Sequence, residues 1–163
     1  MEDNYKIFDL LDRILNRNLQ WISAADSKIT PVLAIDTAML SVLAALVPRA
    51  SKWHALSASM TAICTLLLIV SIICLFLANF PRTQGPKGSM IFFGGISEYD
   101  SQVYVEKITC GVSPELLKDL ASQCYRNAEI ANQKYIFVSW SIILLFLSLP
   151  FFLPAVSLLY NIK

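Results

Sequence analysis

The chain of 163 residues is 56% hydrophobic and 15% charged, a composition that excludes an ordinary small soluble domain. It favours the lipid bilayer as the solvent for much of the chain. The net charge of +1 creates no overall positive field, so a nucleic-acid partner is not expected.

Residues 1–28 are predicted to form an amphipathic helix in the cytoplasm. Between residues 4 and 28, apolar side chains recur at steps of three and four, and charged or amide side chains fill the positions between them. The apolar positions are Ile7, Leu11, Ile14, Leu15, Leu19, Ile22 and Ala25. A helix with this pattern buries one face and solvates the other.

Three apolar stretches are predicted to cross the membrane: residues 29–47, 55–80 and 135–160. About nineteen helical residues, each rising about 1.5 Å, cover the roughly 30 Å hydrocarbon core. The second and third stretches contain no charged residue, and the first contains only Asp36. Residues 48–54, with a proline, two cations and a tryptophan, are predicted to form a short external hairpin.

Prolines interrupt two of these spans. Pro31 lies near the start of the first span, and because proline disfavours a helix interior, it is tolerable there if a new helical segment begins at this residue. Pro150 and Pro154 lie in the outer half of the third span, where they are expected to kink the helix, with a static kink as the default and a movable hinge as the alternative.

The distribution of cations predicts the orientation in the membrane. Ten of the 13 lysines and arginines lie in the N-terminal segment or in residues 81–134. Loops that carry such residues tend to stay in the cytoplasm. The N-terminus is therefore predicted to be cytoplasmic and the C-terminus external, in a multi-pass protein.

Residues 81–134 are predicted to form a small helical cytoplasmic domain. The apolar run at residues 90–96 contains paired glycines and is expected to be extended. Ser97, with an acid three residues later, is the expected N-cap of a short helix over residues 98–109, and Gly111 ends that helix.

Ser113 followed by Pro114 is a stronger start signal, because proline is favoured at the first helical position. No helix breaker follows before Pro150, so the last helix is predicted to continue from the cytoplasm into the membrane. The predicted fold is an all-α membrane protein with three transmembrane helices, an amphipathic N-terminal helix and a small helical cytoplasmic domain.

Small residues form stripes on the first two spans. Such stripes let helix backbones approach closely in lipid. Packing between two spans of one chain explains them, and so does a contact between protomers of a homo-oligomer. The stripes consist of Ala34, Ala38, Ser41 and Ala45, and of Ser57, Thr61, Cys64, Ser71 and Ala78.

Asp36 is predicted to be a polar site within the membrane, about two turns into the first span. An ionised carboxylate there costs a few kcal/mol or more, so it requires a partner or water. A structural role, with hydrogen bonds to Thr37, Ser41 or a neighbouring helix, and a role in a polar pathway both fit the sequence.

Cations near the inner membrane surface form a candidate phosphate site. Lys28 follows Asp26 closely, and Arg126 and Lys134 lie on the long helix expected beside it. Such cations bind phosphate well. The alternative is that the lysines extend their charged ends toward the interface and have no ligand.

The sequence contains no recognisable catalytic or metal-binding set. It has no combination of serine, histidine and aspartate for nucleophilic catalysis, no HExxH motif and no paired intramembrane aspartates. The four cysteines and the single histidine lack the spacing of a zinc site. We therefore expect a protein that is not an enzyme and that holds no metal and no cofactor.

Three short motifs make the chain similar to a known family: AADSK at residues 24–28, FFGGIS at 92–97 and NAEIANQKY at 127–135. With these motifs and this order of helices, the chain resembles the small transmembrane effectors of bacterial Pycsar anti-phage defence systems. The resemblance extends over nearly the whole length.

The resemblance implies a ligand and a response. A partner cyclase, triggered by phage infection, would make a cyclic pyrimidine mononucleotide such as cyclic UMP or cyclic CMP. The effector would then impair the inner membrane and stop growth before phage release. The residues that the resemblance assigns to nucleotide binding are Asp26, Lys28, Asn127, Lys134 and Tyr135.

The chain is too short, beside three spans, for a separate β-roll nucleotide domain of about a hundred residues. The cytoplasmic helices must therefore form any nucleotide site, and protomers of a homo-oligomer would give such a site more walls. Two other functions stay open: a holin-like pore former without a ligand, and a non-catalytic membrane scaffold subunit.

Overall fold

The computed structural model describes residues 2–47, 54–81, 85–86 and 88–161. Within these ranges the chain forms helices and no strand. The helices are α1 (Glu2–Leu46), α2 (Ala55–Asn79), α3 (Phe93–Ile96), α4 (Ser101–Thr109) and α5 (Pro114–Asn161). Three of them, α1, α2 and α5, are long and apolar enough to cross a membrane. The predicted all-α membrane fold is confirmed.

The chain divides into two compact units. The α3–α4 unit comprises Met1–Ala24 and Pro81–Gln133, and the span unit comprises Ala25–Phe80 and Lys134–Lys163. Helices α1 and α5 contribute residues to both units. The predicted external hairpin at residues 48–54 lies, apart from His54, outside the described residues.

In the span unit each long helix buries one face, and its buried positions are three or four residues apart, except for one step of seven between Ser148 and Ala155 of α5. This spacing averages 3.5 residues and keeps one seam of each helix toward its neighbours. The buried residues are Ala25, Ile29, Val32, Asp36, Met39 and Leu43 of α1, Ser57, Thr61, Cys64, Leu68, Ser71, Leu75 and Ala78 of α2, and Val138, Ser141, Leu145, Ser148, Ala155 and Leu159 of α5.

The two stripes of small residues have different surroundings. The α2 stripe, which begins at Ser57, is buried within the span unit, so packing inside one chain accounts for it. The α1 stripe, which begins at Ala34, is exposed. The intrachain interpretation is therefore wrong for α1, because that helix instead presents Val32, Asp36 and Met39 to the seam.

Helix α1 runs through Pro31 without interruption, so the new helical segment considered at this proline does not occur. Proline removes one backbone donor, and packing of the adjacent turn offsets that loss. Pro31 itself is exposed, whereas Ile29 and Val32 on either side are buried. Helix α5 likewise contains Pro150 and Pro154, and it runs without a break from Pro114 into the third span, which confirms the predicted continuation of the last helix into the membrane.

In the α3–α4 unit, the inner face of the first half of α1 agrees in part with the predicted apolar face, since Leu11, Leu15 and Ile22 are half-buried. Ile7, Ile14 and Leu19 are exposed. Asn18 lies on the inner face, where its side-chain amide donates to the carbonyl oxygen of Cys124 at 2.9 Å. The amide breaks the apolar pattern of the inner face, and for this reason the sequence reveals that face only in part.

A sulfur hydrogen bond also joins α1 to α5 in the α3–α4 unit. The thiol of Cys124 donates to the carbonyl oxygen of Leu11 at 3.2 Å. Burial raises the pKa of the Cys124 thiol. The raised pKa keeps the thiol protonated, which a donor to a carbonyl oxygen requires.

The caps of α4 and α5 differ in how well the sequence predicts them. Ser113 caps α5 as predicted, since its hydroxyl accepts from the backbone N–H of Leu116 at 3.1 Å. The predicted cap at Ser97 is wrong. Asp100 caps α4 instead, because its carboxylate accepts from the backbone N–H of Gln102 at 2.9 Å and its charge suits a helix N-terminus.

Residues 90–96, predicted to be extended, contain helix α3. The hydroxyl of Ser89 accepts from the backbone N–H groups of Ile91 and Phe92, at 3.1 and 2.8 Å, which turns the chain into this helix. A Cβ atom on Gly95 would lie 2.5 Å from the carbonyl oxygen of Ser89. The FFGGIS motif therefore allows a close backbone approach.

Candidate functional site

A cavity of about 660 Å³ lies in the α3–α4 unit. Two of the residues that line this cavity come from the segment before α3, and five come from one face of α5. Its volume falls within the range of roughly 300–1,000 Å³ found for small-molecule sites. The lining residues are Gly85, Pro86, Lys118, Ala121, Ser122, Tyr125 and Arg126.

A second cavity of about 260 Å³ adjoins the first. The two share Pro86, Lys118 and Ser122. The wall of the second cavity includes Tyr99, whose hydroxyl donates to the carbonyl oxygen of Gly88 at 2.6 Å. The ammonium of Lys107 lies 4.9 Å from the centre of the Tyr99 ring. A further cation therefore stands at the second cavity.

A polar network centred on Ser89, which lines the second cavity, holds the segment before α3 in place. Ser89 is 2% exposed, and its hydroxyl donates to the carboxylate of Asp119 at 3.0 Å and accepts from the side-chain amide of Gln123 at 3.1 Å. The same carboxylate oxygen accepts from the backbone N–H of Met90 at 2.7 Å. These bonds attach the segment before α3 to the α5 face that carries the cations.

The first cavity combines positive charge with an exposed ring. Lys118 and Arg126 supply the charge, and Tyr125 is 69% exposed. One guanidinium nitrogen of Arg126 lies 3.1 Å from the carboxylate of Glu129, a partly exposed ion pair. An anion with a planar ring suits this arrangement, since cations bind the anion and tyrosine stacks on the ring.

The residues predicted for nucleotide binding belong to different units. Asp26, Lys28, Lys134 and Tyr135 lie in the span unit, whereas Arg126 and Asn127 lie in the α3–α4 unit. Only Arg126 lines the cavity.

Within the span unit, Lys134 forms an ion pair and hydrogen bond with Asp26. The Lys134 side chain is 12% exposed, so its charge is largely enclosed beside its partner. The ammonium of Lys28 lies 5.3 Å from the centre of the Tyr135 ring, within cation–π range. Four of the six residues predicted to bind nucleotide are therefore engaged in two contacts between α1 and α5.

Asn127 donates its side-chain amide to the carbonyl oxygen of Gln123 at 2.9 Å, a bond within α5. Sequence reasoning missed Lys118, Ser122 and Tyr125. Their spacing from Arg126 on a helix was the available signal, but the pairing of this face with residues 85–90 has no local signature.

Asp36 is 0% exposed in the span unit. The hydroxyl oxygen of Ser71 on α2 lies 2.7 Å from Oδ2 of Asp36 and 3.1 Å from the carbonyl oxygen of Ser141 on α5. The hydroxyls of Thr37 and Ser41 donate to carbonyl oxygens of α1 itself. Of the partners considered from the sequence, the neighbouring helix is the one in contact with Asp36.

Together these features define a helical membrane protein with a cavity that is lined by two cations and an exposed tyrosine ring. The Pycsar effector protein domain, PycTM, matches residues 10–161. The chain therefore belongs to the Pycsar effector family.

A curated relative supports the same assignment. The Pycsar effector protein SaPycTM of Staphylococcus aureus is 29% identical over 118 residues, which cover 71% of this chain and 73% of that protein. No solved structure matches the chain.

Family membership gives the protein its general role. It is an anti-phage defence effector located in a membrane, and its family is a class of non-enzymatic effectors. Membership in a Pycsar system implies a partner cyclase that makes a cyclic nucleotide.

Proposed function

We propose that the protein responds directly to a cyclic pyrimidine mononucleotide, cyclic UMP or cyclic CMP, and then impairs the bacterial inner membrane. Growth arrest or cell death follows. The protein acts in the lipid bilayer as a homo-oligomer, with its N-terminus in the cytoplasm and its C-terminus outside.

The observation that carries this proposal is the cavity of about 660 Å³ in the α3–α4 unit. A cyclic mononucleotide has one negative phosphate and one planar base. Lys118 and Arg126 supply charge-assisted hydrogen bonds for the phosphate, and the exposed ring of Tyr125 supplies a stacking surface for the base. Ser122, whose hydroxyl donates to the carbonyl oxygen of Lys118 at 2.9 Å, also lines the cavity.

The residues assigned from the family resemblance form a second candidate for the same ligand. Asp26 is already bound to Lys134, and Lys28 lies over the ring of Tyr135. A phosphate there must compete with a carboxylate for Lys134. Arg126 in the cavity is likewise paired with Glu129, but Lys118 forms no ion pair with the described residues, so the cavity offers one cation without a competing carboxylate.

Nucleotide binding acts by favouring one packing of the helices over another. A ligand shifts such an equilibrium only through different affinities for the two states. Driving a 1:99 mixture to 99:1 requires about 5.5 kcal/mol of preference. Two charge-assisted hydrogen bonds, each contributing roughly 1.5–3 kcal/mol, and one stacked base are sufficient in size.

The test is leakage of potassium from liposomes that contain the purified full chain. Cyclic UMP, cyclic CMP, cyclic AMP and cyclic GMP are added in turn. We expect leakage with a pyrimidine nucleotide and none without it. Leakage without any nucleotide favours the holin-like pore former, and absence of leakage with every nucleotide favours the scaffold subunit.

Lys118→Ala tests the cavity in the same assay. This variant should raise the nucleotide concentration for half-maximal leakage about tenfold or more, since one charge-assisted hydrogen bond is lost. The control is Lys6→Ala, which also removes one cation from the α3–α4 unit, at an exposed pair with Glu2. Equal responses in the two variants would exclude Lys118 from the nucleotide site.

A further inference from the structure

Asp36 is the only charged residue in the predicted spans, residues 29–47, 55–80 and 135–160. It is 0% exposed in the span unit, in contact with Ser71. A buried carboxylate requires a cation or several hydrogen-bond donors. The three spans contain no lysine, arginine or histidine, and their other titratable side chains are cysteines and tyrosines: Cys64 and Cys74 on α2, and Tyr135 and Tyr160 on α5.

The contacts of Ser71 indicate which form of Asp36 the packed helices hold. The Ser71 hydroxyl has one proton and two oxygen neighbours, Oδ2 of Asp36 at 2.7 Å and the carbonyl oxygen of Ser141 at 3.1 Å. If Asp36 is ionised, that proton serves only one of them. If Oδ2 is protonated, Asp36 donates to Ser71 and Ser71 donates to Ser141, so both contacts are hydrogen bonds.

The other carboxyl oxygen supports the neutral form. Oδ1 of Asp36 is buried and has no hydrogen-bond donor among the described residues. Leaving a buried acceptor unsatisfied costs about 1–3 kcal/mol when it is neutral and more when it carries charge. The carbonyl oxygen of a neutral acid is therefore the less costly assignment for Oδ1.

The seam that contains Asp36 has further oxygen atoms along its length. Four buried hydroxyls each donate to a carbonyl oxygen of the chain just before them, at 2.7–2.9 Å. These are Ser57 and Thr61 of α2 and Ser141 and Ser148 of α5. If α2 and α5 move apart, the exposed seam presents hydroxyl oxygens and one carboxyl group, which are ligands for monovalent metal cations.

We propose that Asp36 selects cations in the opened effector. While the spans are packed, the neutral carboxyl of Asp36 donates to Ser71 and joins α1 to α2. When the helices separate and water enters, the proton on Oδ2 passes to water as hydronium. The remaining carboxylate is a fixed negative charge that concentrates potassium and sodium ions and repels chloride. The inference rests on the proposed membrane-impairing function, because it names the ions that cross the membrane once the effector has opened.

The experiment measures the diffusion potential across proteoliposomes with unequal potassium chloride concentrations, after addition of the activating pyrimidine nucleotide. For the natural sequence we expect potassium to permeate at least about tenfold faster than chloride, an effect of the size that a fixed charge has on local ion concentration. Asp36→Asn should still leak, because its neutral side-chain amide donates to Ser71, but it should lose the preference for potassium.

Two outcomes of this experiment overturn the inference: equal permeation of potassium and chloride by the natural sequence, and an unchanged preference in Asp36→Asn. Ser71→Ala is a second variant, in which Asp36 keeps its charge in the open state. It should therefore keep the selectivity and leak at a lower nucleotide concentration, because the packed state has lost a hydrogen bond. Loss of selectivity in Ser71→Ala would also overturn the assignment to Asp36.

Infrared spectroscopy tests whether Asp36 is neutral by a measurement that does not depend on leakage. The full chain in liposomes, without nucleotide, should show the C=O stretching band of a protonated carboxylic acid at neutral pH, and Asp36→Asn should lack it. Absence of this band in the natural sequence overturns the inference. Absence of nucleotide-dependent leakage, with the band present, counts against the proposed function and leaves the neutral assignment standing.

Discussion

At the scale of single residues, similar side chains on α5 differ in their surroundings. Lys134 is bound to Asp26 and its side chain is 12% exposed, whereas Lys118 lines an open cavity with Tyr125 and Arg126. The sequence identifies lysines near a predicted membrane surface, but it does not show which of them already has a carboxylate partner. That difference depends on contacts more than a hundred residues apart in the chain.

The role of Tyr125 is tested by removing its ring and its hydroxyl separately. Tyr125→Ala should weaken binding of the pyrimidine nucleotide about tenfold, since stacking of a base contributes roughly 1–3 kcal/mol. Tyr125→Phe is the matched control and should bind almost normally, because it keeps the ring. Isothermal titration calorimetry of the full chain in detergent measures both. A loss as large in Tyr125→Phe as in Tyr125→Ala would contradict stacking.

The pair of Asp26 and Lys134 is tested by exchanging its charges. The double variant Asp26→Lys and Lys134→Asp keeps the ion pair and reverses its direction. If the pair is structural, each single variant should lower the unfolding temperature and the exchange should recover most of that loss, with nucleotide affinity close to normal. Thermal unfolding and calorimetry measure the two effects. If Lys134 binds phosphate, the exchanged variant will be stable and unable to bind nucleotide.

At the scale of elements, the predictions succeed where a local rule decides and fail where a longer-range contact does. Ser113 and Pro114 start α5 as predicted, because capping and proline geometry are local. Helix α3 was missed, since its start depends on Ser89, which is held by Asp119 and Gln123 on α5. The sequence around the glycines shows a break in the apolar run, but it does not show what the backbone approaches.

Gly95→Ala tests that close approach. The added Cβ atom would lie 2.5 Å from a backbone oxygen of Ser89, so the segment must shift, at a cost of about 1–3 kcal/mol. We expect faster hydrogen–deuterium exchange at residues 88–96 and weaker nucleotide binding, because residues 88–90 line the adjoining second cavity and follow closely on Gly85 and Pro86, which line the first. Gly94→Ala is the matched control, since the atoms nearest to its added Cβ, from 2.5 Å, belong to the side chain of Phe92 and not to the backbone. Identical exchange in the two variants would contradict this account.

At the scale of the whole molecule, the three apolar spans could be predicted because lipid requires long stretches almost free of charge, and this requirement is visible in composition alone. The cavity could not be predicted in the same way. It requires residues 85 and 86 to lie against α5, more than thirty residues later in the chain. Family membership adds the defence role, which neither hydropathy nor helix length specifies.

The predicted orientation is a property of the whole molecule and can be tested with reporter fusions. Ten of the 13 cations lie in segments expected to stay in the cytoplasm. Alkaline phosphatase fused after Lys163 should be active, because it folds only outside the cytoplasm. Green fluorescent protein fused at the same position should not fluoresce. The reverse result would invert the topology and put the α3–α4 unit out of reach of a cytoplasmic nucleotide.

The spacing of the buried residues in the span unit makes the contact between Asp36 and Ser71 a marker of helix register. A seam that repeats every seven residues offers nearly equivalent apolar packing after a slide of one heptad. Such a slide would place Cys64 or Ala78 of α2 where Ser71 now lies, and neither side chain replaces its hydroxyl as an acceptor for the acid. One polar contact in an otherwise repetitive seam therefore sets the axial alignment of α1 and α2.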